Sequence, residues 1–224
     1  MNIFRRPPAP TATAPDPAPT GTGISLTKGE SAGISLVKTD PTVQITAHLD
    51  WNGGSASRRA RGADLELYVL HVPASGVSPG GKRSTPKEGG AIYYRNLGSL
   101  DQAPYIRHHG DSLTPGRESA TIGRIDRQGY ALICAYSAVG NGVGSFKSYG
   151  AKAIVTDGAN QTITVPLYDN NQHAYWVAIA LVDFTHDNPL ISQVERYSRP
   201  NSEARPMLYT DGRFLMDAGP VEFK

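Results

Sequence analysis

The chain has 224 residues, enough for one large β domain or two small ones and for a substantial core. Its 22 basic and 20 acidic residues leave a formal charge of +2, which argues against a dedicated nucleic-acid binder. With 24 glycines, 17 prolines and 1 cysteine, the composition suits many turns and short strands, excludes an internal disulfide and fits a reducing compartment.

Residues 1–22 read as a Pro/Ala/Thr-rich disordered tail that favours extended polyproline II and cannot form a core. Arg5 and Arg6 are not followed by an apolar run, so no secretory signal is expected, and no later stretch is apolar enough to span a membrane. Residues 23–224 are expected to form one domain. Gly-Ile-Ser-Leu occurs at 23–26 and again at 33–36, which predicts two short strands and a turn. Val43, Ile45, Ala47 and Leu49 alternate with polar residues, predicting a half-buried strand that ends at Trp51. Arg58, Arg59 and Arg61 follow in a Gly/Ser-rich loop, and Lys82 and Arg83 lie in a second, long loop from Ser75 to Gly90. Together they could hold an anion. Solvated loop charge is the preferred reading, because the chain carries so little basic excess.

Between those loops, Ala63–Val72 has the period-2 pattern of a strand. Asp64 and Glu66 leave one face; Leu65, Leu67 and Val69 leave the other and can enter a core. Two like charges side by side repel unless solvent or a cation separates them. The pair is therefore either a solvated strand face or half of a cation site. Ala91–Arg95, Tyr105–His108 and Ala120–Asp126 read as further strands. The loop after His108 carries Asp111, Ser112, Thr114 and Glu118 among Gly110, Pro115 and Gly116. Such a loop offers the oxygens a hard cation takes. Taken alone, it reads better as a polar turn capped by Asp111, since the EF-hand signature is absent. His108 and His109 point to opposite faces and read as a surface pair rather than zinc ligands, although one of them could line the acidic loop.

Tyr130–Ala138 is apolar throughout and predicts a central strand, with Cys134 as a small core residue. The glycines at 140–144 lack the Lys-Ser/Thr of a phosphate loop and read as a turn. Ala151–Thr156 and Thr162–Leu167 flank a turn at 157–160 and predict a hairpin. Tyr175–Phe184 predicts a buried strand, and Asp211–Gly212 joins Met207–Thr210 to Arg213–Met216 in a second hairpin. No long helix is expected.

Five stretches together resemble the TerD-domain family of bacterial tellurium-resistance and general stress proteins, nearest its TerA-like branch. They are Gly-Ile-Ser-Leu-Thr-Lys-Gly at 23–29, Ala-His-Leu-Asp-Trp-Asn at 47–52, Ala-Asp-Leu-Glu-Leu at 63–67, Gly-Ser-Leu-Asp-Gln-Ala-Pro-Tyr-Ile at 98–106 and His-Gly-Asp-Ser-Leu-Thr-Pro-Gly at 109–116. They run in the family's order over about residues 23–185. The resemblance implies an all-β sandwich of two mainly antiparallel sheets. It implies Ca²⁺ bound near Asp64, Glu66, Asp111, Ser112 and Glu118, with Asn96 assisting. It also implies a cytoplasmic, non-catalytic role in stress resistance, through partner stress-response proteins or membrane-associated complexes. The family's Asp-x-Asp is Asp64-Leu65-Glu66 here, its Tyr-Asn pair appears as Tyr94-Arg95-Asn96, and its dense acidic run is interrupted by Arg117. Fewer carboxylates predict weak or lost Ca²⁺ binding. Residues 199–224 depart most from the pattern.

Catalytic signatures are weak: a Gly-x-Ser-x-Gly spacing at 76–80 falls inside the long Ser75–Gly90 loop, where no helix pattern follows to make an elbow, and there is no His-Glu-x-x-His or phosphate loop. Two other functions stay open. One is a recognition module that grips carbohydrate or protein; the lesser is a hydrolase using Asp64 or Glu66 with Asp111 or Glu118 as its carboxylate pair.

Overall fold

The computed structural model describes residues 22–60, 63–78, 80, 90–141 and 144–222. Its strands in chain order are β1 (Thr22–Ser25), β2 (Ser31–Gly33), β3 (Ile45–Asp50), β4 (Glu66–Pro73), β5 (Ala91–Ile92), β6 (Gly98–Ser99), β7 (Ile106–His108), β8 (Arg117–Ile122), β9 (Gln128–Tyr136), β10 (Lys152–Thr156), β11 (Gln161–Pro166), β12 (Trp176–Asp183), β13 (Leu190–Tyr197), β14 (Met207–Leu208) and β15 (Phe214–Leu215). The expected tail lies outside the described residues except for Thr22, which opens β1.

Two sheets face each other, as expected of an all-β sandwich. A seven-stranded sheet runs β1-β11-β10-β3-β8-β7-β6 and a six-stranded sheet runs β2-β13-β12-β9-β4-β5. The β1–β11 pair is parallel and every other strand pair is antiparallel. The repeated Gly-Ile-Ser-Leu stretches do not pair with each other: the first supplies most of β1, and the second begins at the last residue of β2 in the opposite sheet. Alternation drives the main core. Ile45, Ala47 and Leu49 of β3 meet Leu67 and Val69 of β4, Ile133 of β9 and Val177 and Ile179 of β12 between the sheets.

Strand β9 is buried along its whole length, as its apolar run predicts, and β4 along nearly all of it, so β4 lacks the half-solvated face that its alternation predicts. The reason is a second apolar layer on the outer face of the six-stranded sheet. Tyr68, Leu132, Cys134, Tyr136 and Trp176 lie there under Leu208, Phe214 and Met216 of the C-terminal hairpin β14–β15. A register shift between Ala178 and Ala180 keeps both layers filled along β12. It sends Ala178 to the outer layer and both Ile179 and Ala180 to the inner one.

Several expected boundaries move. The strand expected over 120–126 instead spans Arg117–Ile122, because Arg124 takes a left-handed conformation with φ 46° and a 3₁₀ turn follows at Ile125–Arg127. The Arg-rich loop contains a five-residue helix, Ala56–Ala60. Arg58 is not free solvated charge there: it lies 4.9 Å from the Tyr149 ring centre and donates to Ser148 Oγ at 2.5 Å. Arg61, Lys82 and Arg83 lie outside the described residues.

Candidate metal centre

Strand β8 joins the acidic loop to the sheet. Asp50 at the end of β3 holds Arg117 in a two-pronged pair at 2.6 and 2.9 Å, and Trp51 N donates to Gly116 O at 3.0 Å. Alternation then turns Glu118 inward, where it is 2 % exposed. Its Oε2 accepts from Leu67 N at 2.6 Å and its Oε1 from Ser112 N at 3.0 Å. His108 Nε2 stands 3.5 Å from the same Oε2. One carboxylate of the seven-stranded sheet thus fastens both β4 of the opposite sheet and the Asp111 loop.

The other half of the site comes from the entry to β4. Ala63 has φ 32° and its carbonyl accepts from Trp51 Nε1 at 2.8 Å. Asp64 is gripped by the Asn141 side chain, which accepts from Asp64 N at 3.2 Å and donates to Asp64 O. The next side chain on that side is Glu66, only 1 % exposed. These constraints bring carboxylate oxygens of Asp64, Glu66 and Asp111 within 4.8 Å of one another. Like charges so close repel, and a hard divalent cation relieves the repulsion. The all-oxygen donor set fits a hard divalent cation rather than a soft one.

The predicted residues therefore separate into groups. Asp64, Glu66 and Asp111 converge. Glu118 braces the loop through two backbone amides, and Ser112 Oγ donates to Thr114 O at 3.1 Å. Asn96 has its contacts elsewhere: its amide donates to Ala91 O at 2.9 Å, and it lines a cavity of about 590 Å³ with His71, Ser99 and Gln102. Of the two readings left open for the Asp64–Glu66 pair, the solvated strand face does not hold at Glu66, which is buried. The surface reading of the histidine pair is corrected for His108 alone, since His109 is exposed. His108 is buried against Glu118, while His109 Nε2 meets Thr121 Oγ1 at 2.9 Å, and burial followed by the neighbouring His108 lowers the His109 pKa.

Among the buried polar groups that sequence reasoning missed, two bear on the site chemistry. Glu195 on β13 accepts from Tyr168 N and Asp169 N at 2.7 Å each, from Tyr197 Oη at 2.9 Å and from Gln193 Nε2 at 2.9 Å. The polar period-2 run Gln193, Glu195, Tyr197 was the available signal. His71 is the second. Burial pushes its imidazole down to about 4, and its Nδ1 has no hydrogen-bond partner. A depressed folded-state value means the unfolded chain binds the proton more readily between about pH 6.5 and 4, so the stability held above that window drains as pH falls through it. The loss from His71 alone is expected to reach about 3 kcal/mol by pH 4. Urea denaturation at pH 7 and pH 4.5 should show a smaller acid loss for His71→Gln than for the wild type; parallel losses would remove His71 as the cause.

No protein-family model matches this chain, and no curated protein matches it. Among solved structures, the chain is similar to a homologue of the telluride resistance protein TerD from Streptomyces coelicolor A3(2), with 13 % identity and a TM-score of 0.44, covering 69 % of this chain and 89 % of that one.

Proposed function

We propose that this protein is a Ca²⁺-binding, non-catalytic stress-response protein of the TerD kind, working in the cytoplasm through partner proteins. The observation that carries the reading is the convergence of Asp64, Glu66 and Asp111, the acidic positions of two of the five family-like stretches. In this reading those carboxylates hold the ion, and Glu118 keeps the loop in place. Ca²⁺ supplies charge and order rather than chemistry: it neutralises the cluster and locks the loop onto β4. No helix among the described residues is long and apolar enough to cross a membrane.

Calorimetric titration of the full chain with Ca²⁺ tests the proposal. Binding should be weakened tenfold or more by Asp111→Asn, since affinity follows ligand charge, and Ca²⁺ should raise the melting temperature of the wild type. No heat at millimolar Ca²⁺ would mean that the reduced acidic set no longer holds the ion. A second reading, a sandwich module that grips carbohydrate, is favoured by the cavity at His71, whose Asn96, Ser99 and Gln102 side chains are uncharged hydrogen-bonding groups. Retention on polysaccharide columns that His71→Ala abolishes would favour it over the first.

A further inference from the structure

The outer face of the six-stranded sheet carries a second candidate site, independent of the acidic cluster. Where β13 meets the C-terminal hairpin, a cavity of about 660 Å³ is lined by Arg196, Tyr209, Arg213, Phe214, Leu215 and Met216. A second cavity of about 400 Å³ shares Arg196 and Phe214 and continues past Val194 to Lys28. The two form one groove with an apolar floor, in the size range of small-ligand sites.

Its cations are not equivalent. Arg213 is held by Asp211 at 2.5 Å, and Lys28 by Asp169 at 2.7 Å. Arg196 has no carboxylate partner among the described residues. Its chain neighbour Glu195 cannot serve, because that carboxylate is taken up by Tyr168, Asp169, Gln193 and Tyr197. An uncompensated guanidinium therefore stands at the junction of two cavities, beside exposed apolar surface at Leu215, which is 56 % exposed. That combination asks for one negative charge joined to one apolar chain.

We propose that this groove binds a free single-chain anionic amphiphile, its carboxylate on Arg196 and its hydrocarbon along Phe214, Leu215 and Met216. The guanidinium supplies a two-pronged hydrogen bond to the head, and burial of the chain supplies most of the affinity.

The test uses the full chain and dodecanoate below its micellar range, followed by calorimetry and by displacement of the anionic dye 1-anilinonaphthalene-8-sulfonate. Dodecanoate should bind and displace the dye. Arg196→Ala, a change at an exposed side chain, should weaken dodecanoate about tenfold while leaving dodecanol and the melting temperature unchanged. Leu215→Asp should weaken both ligands. The proposal is overturned if dodecanoate fails to bind at millimolar concentration, if Arg196→Ala leaves its affinity intact, or if dodecanol binds the wild type as tightly. Ca²⁺ binding should be the same in both variants, so failure here and failure of the metal reading are separable.

Discussion

Trp176→Ala is expected to cost about 3–5 kcal/mol of stability, the range for truncating a buried aromatic side chain. Trp176 is fully buried at the centre of the outer layer. Its ring centroid lies 4.7 Å from that of Tyr68, edge-on, and 4.7 Å from that of Tyr136. Its Nε1 donates to Glu203 O at 3.0 Å, and its backbone N donates to Ser198 Oγ at 3.2 Å. Truncation leaves a cavity between two tyrosines and an unanswered carbonyl on the C-terminal segment. The midpoint of thermal unfolding should fall by roughly 6–20 °C for a chain of this size. Residues 199–222 should also become more sensitive to protease, since the indole tethers them to β12. Trp176→Phe should recover part of the loss through ring packing without restoring the hydrogen bond. A cost below about 1 kcal/mol would show that the outer layer does not stabilise the sandwich.

Glu118→Ala is the second large change. It orphans the buried Leu67 N–H and releases the Ser112 N–H. Leaving buried donors unmet costs about 1–3 kcal/mol each, so a total near 2–4 kcal/mol is expected in chemical denaturation. Glu118→Gln keeps one acceptor oxygen and should fall in between. Because the same carboxylate holds the Asp111 loop against β4, the alanine variant should also lose the Ca²⁺ heat of the proposed site. Ser112→Ala keeps the backbone contact and should do neither. A stability change within 0.5 kcal/mol for Glu118→Ala would show that the brace is dispensable.

Much of the sandwich was legible because alternation is a local signal. Ile45, Ala47 and Leu49 announced β3, and the apolar runs at 130–138 and 175–184 announced β9 and β12. Pairing was not legible. Nothing local says that neighbouring copies of Gly-Ile-Ser-Leu join different sheets, or that Phe214 and Met216 roof the outer face of β9. The acidic group was readable from the two-residue spacing of Asp64 and Glu66 together with the family-like loop, and its convergence with Asp111 follows. The difference between Glu118 and Asp111 was not readable. Both are acids of one loop region, and only the phase of β8 decides that Glu118 turns inward to backbone amides. Asn96 was placed by family likeness alone, and its turn contact with Ala91 is set by the short β5 that precedes it.

The parallel pairing of β1 with β11 ties the first described strand to one near residue 163. Such a closure spans a long stretch of chain and is expected to follow the local β10–β11 hairpin. Until then β11 is a bare edge whose backbone groups accept any extended chain, including the β1 of a second molecule. Thr22–Ser25 covers that edge within the molecule and replaces it with a shorter one, the four-residue strand β1. Within one molecule it closes at a high effective concentration that dilute neighbours cannot match. When the protein is concentrated while partly unfolded, that advantage shrinks, and exchange of β1 between two copies is the association to expect.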